Sequence, residues 1–154
     1  MIQMNATKLP EKLSECLFLA LDDLEKCEDD PKYVIDMSEW HTADDVQCLV
    51  CFAGSVMAKT CDADWCESLA PSNFGTHNAA RFNALNMIRS GDIFGALYYL
   101  GIYRPAMSDE AILWACENAS NWGGVRQWPS YRINPAGFKA KMRQTATELK
   151  ELGL

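Results

Sequence analysis

Leu13, Leu17, Ala20, Leu21 and Leu24 recur at i, i+4, i+7, i+8 and i+11, with polar and charged residues at most of the positions between. That spacing is the apolar stripe of an amphipathic helix, and Pro10 suits its first turn, so the pattern predicts a helix over 11–27. The acidic segment Glu28-Asp29-Asp30-Pro31 ends it, and residues 33–37, YVIDM, form the one short stretch that reads as a strand. A different pattern follows. From Val46 to Ala58 only Gln47 and Ser55 are polar, which predicts a buried helix over 46–59 with Asp44 or Asp45 as its N-cap.

Residues 60–76 carry turn formers at both ends and read as a long connection holding at most one helical turn. Phe82, Leu85 and Ile88 place a helix at 78–90, stopped by Gly91. Asp92 caps a shorter helix through Leu100, and Ser108-Asp109-Glu110 opens another through Ala119. Residues 121–133 are irregular and aromatic. Asn134 caps a final helix with Pro135 in its first turn, and Gly153 lies just past its end. The expected fold is therefore all-α or mainly α, with about six helices and at most one short β ribbon. One domain, 1–154, is built around the central apolar helix at 46–59.

Length and composition agree with a single globular domain. A chain of 154 residues with 49% hydrophobic and 23% charged residues buries a core without needing disulfides or metal. The net charge of −7 is unevenly placed: residues 1–45 hold 12 acidic and 4 basic groups, and the rest of the chain is nearly balanced. Such an excess disfavours direct binding to nucleic acid, whose phosphates call for surplus Lys and Arg, and favours a basic target surface. The start of the chain carries no apolar secretory core, so the seven cysteines are expected to be reduced thiols. The Asn5 and Asn118 glycosylation patterns then carry no information, and the longest apolar run, about thirteen residues, is short of a membrane span.

The cysteines offer two chemistries. Cys48-x2-Cys51 followed by Cys61-x4-Cys66 has the outline of two zinc-ligand pairs. A helix between Cys51 and Cys61, however, separates them by about 15 Å, so helix and metal site exclude one another. The apolar filler Leu49-Val50 and Phe52-Ala53 favours the helix, leaving the thiols as small buried hydrophobes and no metal or cofactor expected. A thioredoxin-like role lacks its βαβ setting. The alternative is a small metal-binding or enzymatic module in which Cys48 or Cys51 works with His41. His77 reads as a cap or loop residue, residues 53–57 lack the second glycine of a nucleophile elbow, and the carboxylates at 22–30 lack the apolar surroundings of a catalytic acid. No catalytic residue is expected.

Recognition is better represented. The stretch 121–132, NWGGVRQWPSYR, concentrates the residue types that dominate interface hot spots. Trp122, Arg126, Trp128 and Arg132 are its expected anchors. Asp22, Asp23, Glu25, Glu28, Asp29 and Asp30 are expected to steer a basic partner electrostatically. A homodimer is a further alternative, in which Lys139, Lys141, Arg143 and Lys150 meet the acidic N-terminal region of a neighbour.

Three blocks carry a resemblance: Glu39-Trp40-His41, then Cys48-x-x-Cys51-x-Ala53-Gly54-x-x-Met57-Ala58, then Arg81-x-x-Ala84-Leu85-Asn86-x-x-Arg89-x-Gly91. Over about residues 10–100 the chain resembles a group of small uncharacterised proteins encoded by bacteriophages and prophages. The group brings no agreed activity, so no functional residue is transferred, and Cys61 and Cys66 lie outside the matching block. The resemblance implies a phage accessory protein in the cytoplasm of the bacterial host, and the expected function is to bind and modulate or inhibit a host protein, such as one that handles nucleic acid or serves defence.

Overall fold

The computed structural model describes residues 6–120 and 127–154. Among the described residues six helices pack into one compact domain with a small three-stranded sheet, which lies against α1 and α2: α1 Leu13–Glu28, β1 Tyr33–Ile35, β2 His41–Ala43, β3 Cys48–Val50, α2 Phe52–Lys59, α3 Gly75–Ile88, α4 Ile93–Tyr99, α5 Asp109–Asn118 and α6 Pro135–Glu151. The stripe expected on α1 is buried throughout, and it packs against α2 on one side and α6 on the other. α6 contributes Phe138, Met142, Ala146 and Leu149 to the same core, and the rings of Phe52 and Phe138 meet edge to face at 5.4 Å. At the end of α6 Gly153 takes φ +77, a conformation that suits glycine, and Leu154 is turned back so that its carbonyl accepts the Ser14 N–H at 3.2 Å.

The expected central helix at 46–59 begins as a turn and a short strand. Asp44 accepts the N–H groups of Val46 and Gln47 in a turn, β3 follows, and only from Phe52 does the chain become helical. β3 lies in the middle of the sheet, parallel to β1 and antiparallel to β2, with Tyr33 opposite Cys48 and His41 opposite Val50. Cys51 sits at the changeover, its sulfur accepting the Gly54 N–H at 3.4 Å as an N-cap. An all-apolar run cannot reveal that change, because a strand buried on both faces and a buried helix both lack a polar face. The β content is thus one three-residue strand where the sequence suggested a ribbon, plus two where it suggested none.

α2 is buried over Phe52–Ala58, as a central helix would be. Gly54 is required there: a Cβ at this position would lie 1.7 Å from the Trp40 carbonyl oxygen, the same oxygen that accepts the Cys51 N–H at 3.3 Å. The other ends follow local chemistry. Asp92, Ser108 and Asn134 cap α4, α5 and α6 by accepting the N–H groups of Gly95, Ala111 and Gly137. The connection 60–76 holds a single 3-10 turn at Pro71–Phe74 before α3.

Candidate functional site

β1, the end of α3, the start of α4 and the segment before α6 leave between them a cleft of about 1610 Å³. Its floor is apolar, from Met87, Phe94 and Phe138. One wall is held by Trp128, whose indole N–H donates to the Asn118 carbonyl at 2.8 Å and whose ring carries the Lys141 ammonium 4.8 Å above its centre. Gly91 allows that wall to form. It has φ +86, and a Cβ there would meet the Ser120 Cβ at 2.4 Å and the Trp128 ring at 3.0 Å. Tyr131 packs edge to face on Phe138 at 5.7 Å and donates its hydroxyl to Glu28 at 2.5 Å.

Two guanidinium groups line the cleft. Arg89, the C-cap of α3, donates from Nε to the Asn86 side chain at 2.9 Å, and its guanidinium makes no other hydrogen bond among the described residues. Arg132 is exposed and makes none among them. The two carboxylates on the rim are already engaged. Asp36 accepts both the Ser38 hydroxyl, at 2.6 Å, and the Ser38 N–H, at 2.9 Å, and these bonds hold its carboxyl below the usual range, with Arg132 adding to the effect. Asp92 accepts the Gly95 N–H. A carboxylate so stabilised is a poor base for the Ser38 hydroxyl, and the Ser90 hydroxyl donates to the Met87 carbonyl. The cleft is therefore equipped to bind through donors and apolar surface, and offers no activated nucleophile.

The Cys–His alternative comes together in part, and away from the cleft. His41 and Cys48 are both fully buried, with the sulfur 3.4 Å from Nδ1 and 3.6 Å from Nε2. Nδ1 lies 2.8 Å from the Glu67 carbonyl, which only accepts, so Nδ1 carries the proton, and the thiol lies about equally far from both ring nitrogens. Burial lowers the His41 pKa and raises that of Cys48 to about 12, so both are neutral and the sulfur is an inert thiol. Cys51 points elsewhere, into its cap. A turn-and-a-half or more of helix intervenes before Cys61, and no group of three or more His, Cys, Asp or Glu side chains converges on a metal position among the described residues.

The acidic cluster of α1 is largely satisfied within the chain. Asp22 pairs with Lys26 at 2.9 Å, Glu25 with Arg143 at 3.2 Å, Glu28 with Lys139 at 2.9 Å and Asp30 with Lys59 at 2.7 Å. Asp23 is not on the surface at all. It is 1% exposed and accepts the Thr60 hydroxyl at 2.5 Å, and burial raises its pKa against that bond. The expected polar face fails at this position because i, i+3 and i+4 neighbours of a helix share a side: Ala20 and Cys27 carry Asp23 inward with them. Of the four basic residues of α6 that could meet a neighbour's acidic region, Lys139 and Arg143 meet this chain's own α1, because the two helices pack side by side, while Lys141 lies over Trp128 and Lys150 makes no ion pair among the described residues. Asp29, exposed at the C-cap of α1, makes no ion pair among the described residues.

Of the expected anchors, Trp128 and Arg132 come together at the cleft, while Trp122 and Arg126 lie outside the described residues. Arg89 and Tyr131 complete it and went unnoticed as site residues. Arg89 left one trace, its place beside Asn86 and Gly91 in the third resemblance block.

No protein family, curated protein or solved structure matches this chain. What the cleft accepts must accordingly be read from its own groups.

Proposed function

We propose that this protein acts by binding another protein, as a phage accessory factor that modulates or inhibits a host protein in the bacterial cytoplasm. The observation that carries the binding reading is the cleft, where Trp128, Tyr131, Arg89 and Arg132 frame an apolar floor. Aromatic and Arg side chains around a concave apolar surface are what interface hot spots are made of. The sealed, neutral Cys48–His41 pair supports binding over catalysis, since a substrate has no access to it. The phage origin and the host target rest on the resemblance of the blocks at 39–58 and 81–91. No described helix is long and apolar enough to cross a membrane.

The internal ion pairs of α1 move the weight of recognition from the acidic cluster to the cleft. Affinity capture from bacterial lysate with the full chain, followed by mass identification, tests the reading. We expect a protein retained by the wild type and reduced at least about ten-fold with Arg132→Glu, a loss of roughly 1.4 kcal/mol. Retention that Arg132→Glu leaves unchanged, or no retained protein, overturns it.

A further inference from the structure

Resting on that reading, we infer that the cleft takes an acidic segment of a partner polypeptide, its carboxylates held by Arg89 and Arg132 and its apolar side chains seated against Met87, Phe94 and Trp128. The inference begins with where the guanidinium donors of the chain go. Arg81 engages all three nitrogens, Arg143 reaches Glu25, and Arg104 stacks on Phe94 and donates to Cys116. Arg89 uses Nε alone, and Arg132 uses none among the described residues. Both line one cleft, and although Arg132 lies near enough to Asp36 to stabilise its charge, neither arginine hydrogen-bonds to Asp36 or Asp92 among the described residues; those carboxylates accept from Ser38 and Gly95. The cleft thus presents a surplus of strong donors with fork geometry, which is the complement of a carboxylate or phosphate.

Size and charge choose between those. At about 1610 Å³ the cleft exceeds the roughly 300–1,000 Å³ typical of small-molecule pockets and is open enough for an extended segment. Two guanidinium groups on a chain of net charge −7 can match a carboxylate or two but not a nucleic acid, which carries a phosphate at every nucleotide. A peptide alternating carboxylate and apolar side chains matches both the two arginines and the floor between them.

Fluorescence anisotropy of a short labelled peptide alternating glutamate and leucine, titrated with the full protein, tests this. A peptide with glutamine in place of glutamate and labelled ADP serve as comparison probes. We expect the glutamate peptide to bind with an affinity that falls as salt is added, and the glutamine peptide to bind at least about ten-fold more weakly. Arg89→Gln and Arg132→Gln should each weaken the glutamate peptide about ten-fold, and Arg143→Gln, outside the cleft, should leave it unchanged. Absent or equal binding of the two peptides, or an equal loss with Arg143→Gln, overturns the inference. So does ADP binding more tightly than peptide, with loss in the same two variants. An Arg132-dependent partner captured from lysate alongside a silent glutamate peptide removes this inference alone and leaves the protein-binding reading standing.

Discussion

Arg81 stands in the middle of α3 and Arg89 about two turns further on, at its C-cap, and their surroundings could hardly differ more. Midway along the helix Arg81, 8% exposed, donates to the carbonyls of Pro10, His77 and Glu11 and to the Glu11 carboxylate. His77 and Asn78 join it, donating to the carbonyls of Leu9 and Thr7, so that the segment before α1 is strapped to α3. At the C-terminal end Arg89 holds one side-chain oxygen and opens onto a cleft. A guanidinium whose donors all end on its own backbone is a clamp, and one whose fork is left open beside aromatic walls is a binding group. The same contrast divides the molecule: the strap, sheet and α2 form a closed side, and the cleft forms an open one.

The closed side should be the less forgiving, and Gly54 is where it should fail first. Gly54→Leu drives a side chain into the Trp40 carbonyl, where even a Cβ has 1.7 Å, and we expect a loss of about 3 kcal/mol or more in urea unfolding. A variant as stable as wild type would mean that the Trp40 loop can retreat, and that this junction is not closed.

The two arginines give the direct comparison. Arg81→Ala leaves several backbone carbonyls of the strap without their donor and should cost about 2–3 kcal/mol. Arg89→Ala removes a single bond to a half-exposed Asn86 and should stay within about 0.5 kcal/mol of wild type. Equal losses would erase the distinction between clamp and binding group. A large loss for Arg89 alone would make it structural and deprive the cleft of one of its two donors.

How far this division was legible beforehand follows from the range of each interaction. The stripe of α1 and the caps Asp92, Ser108 and Asn134 were legible because a cap bonds an N–H three residues on and a stripe repeats every turn. Asp23 was misplaced because its type suggested solvent while its position, between Ala20 and Cys27 on one side of the helix, pointed inward. β3 was hidden in a run with no polar face to betray its period, and β2 is too short to show one. The cleft draws on four separate stretches of chain, so composition could flag Trp128 and Arg132 but nothing local could join Arg89 to them.

The smallest effect we expect concerns charge on the closed side. His41 is buried against the Glu67 carbonyl and the Cys48 thiol, and desolvation lowers its pKa although Glu67 and Asp64 pull the other way. The unfolded chain therefore takes up a proton near pH 6.5 that the folded chain refuses, and stability should decline as pH falls from 7 through that value. Asp23 has the opposite sign. Its raised pKa makes the folded chain hold a proton that the unfolded one has released, so its contribution is present below the unfolded value near 3.8 and is lost as pH rises through the folded one. The two separate by variant: His41→Gln should flatten the decline of the urea midpoint between pH 7 and about 5.5, whereas Asp23→Asn should leave that His41-driven decline in place. An undiminished decline in His41→Gln would place the responsible group elsewhere. Because Cys48 lies against the ring, that result would also mean water reaches the pair, and the division into a closed and an open side would have to be redrawn around it.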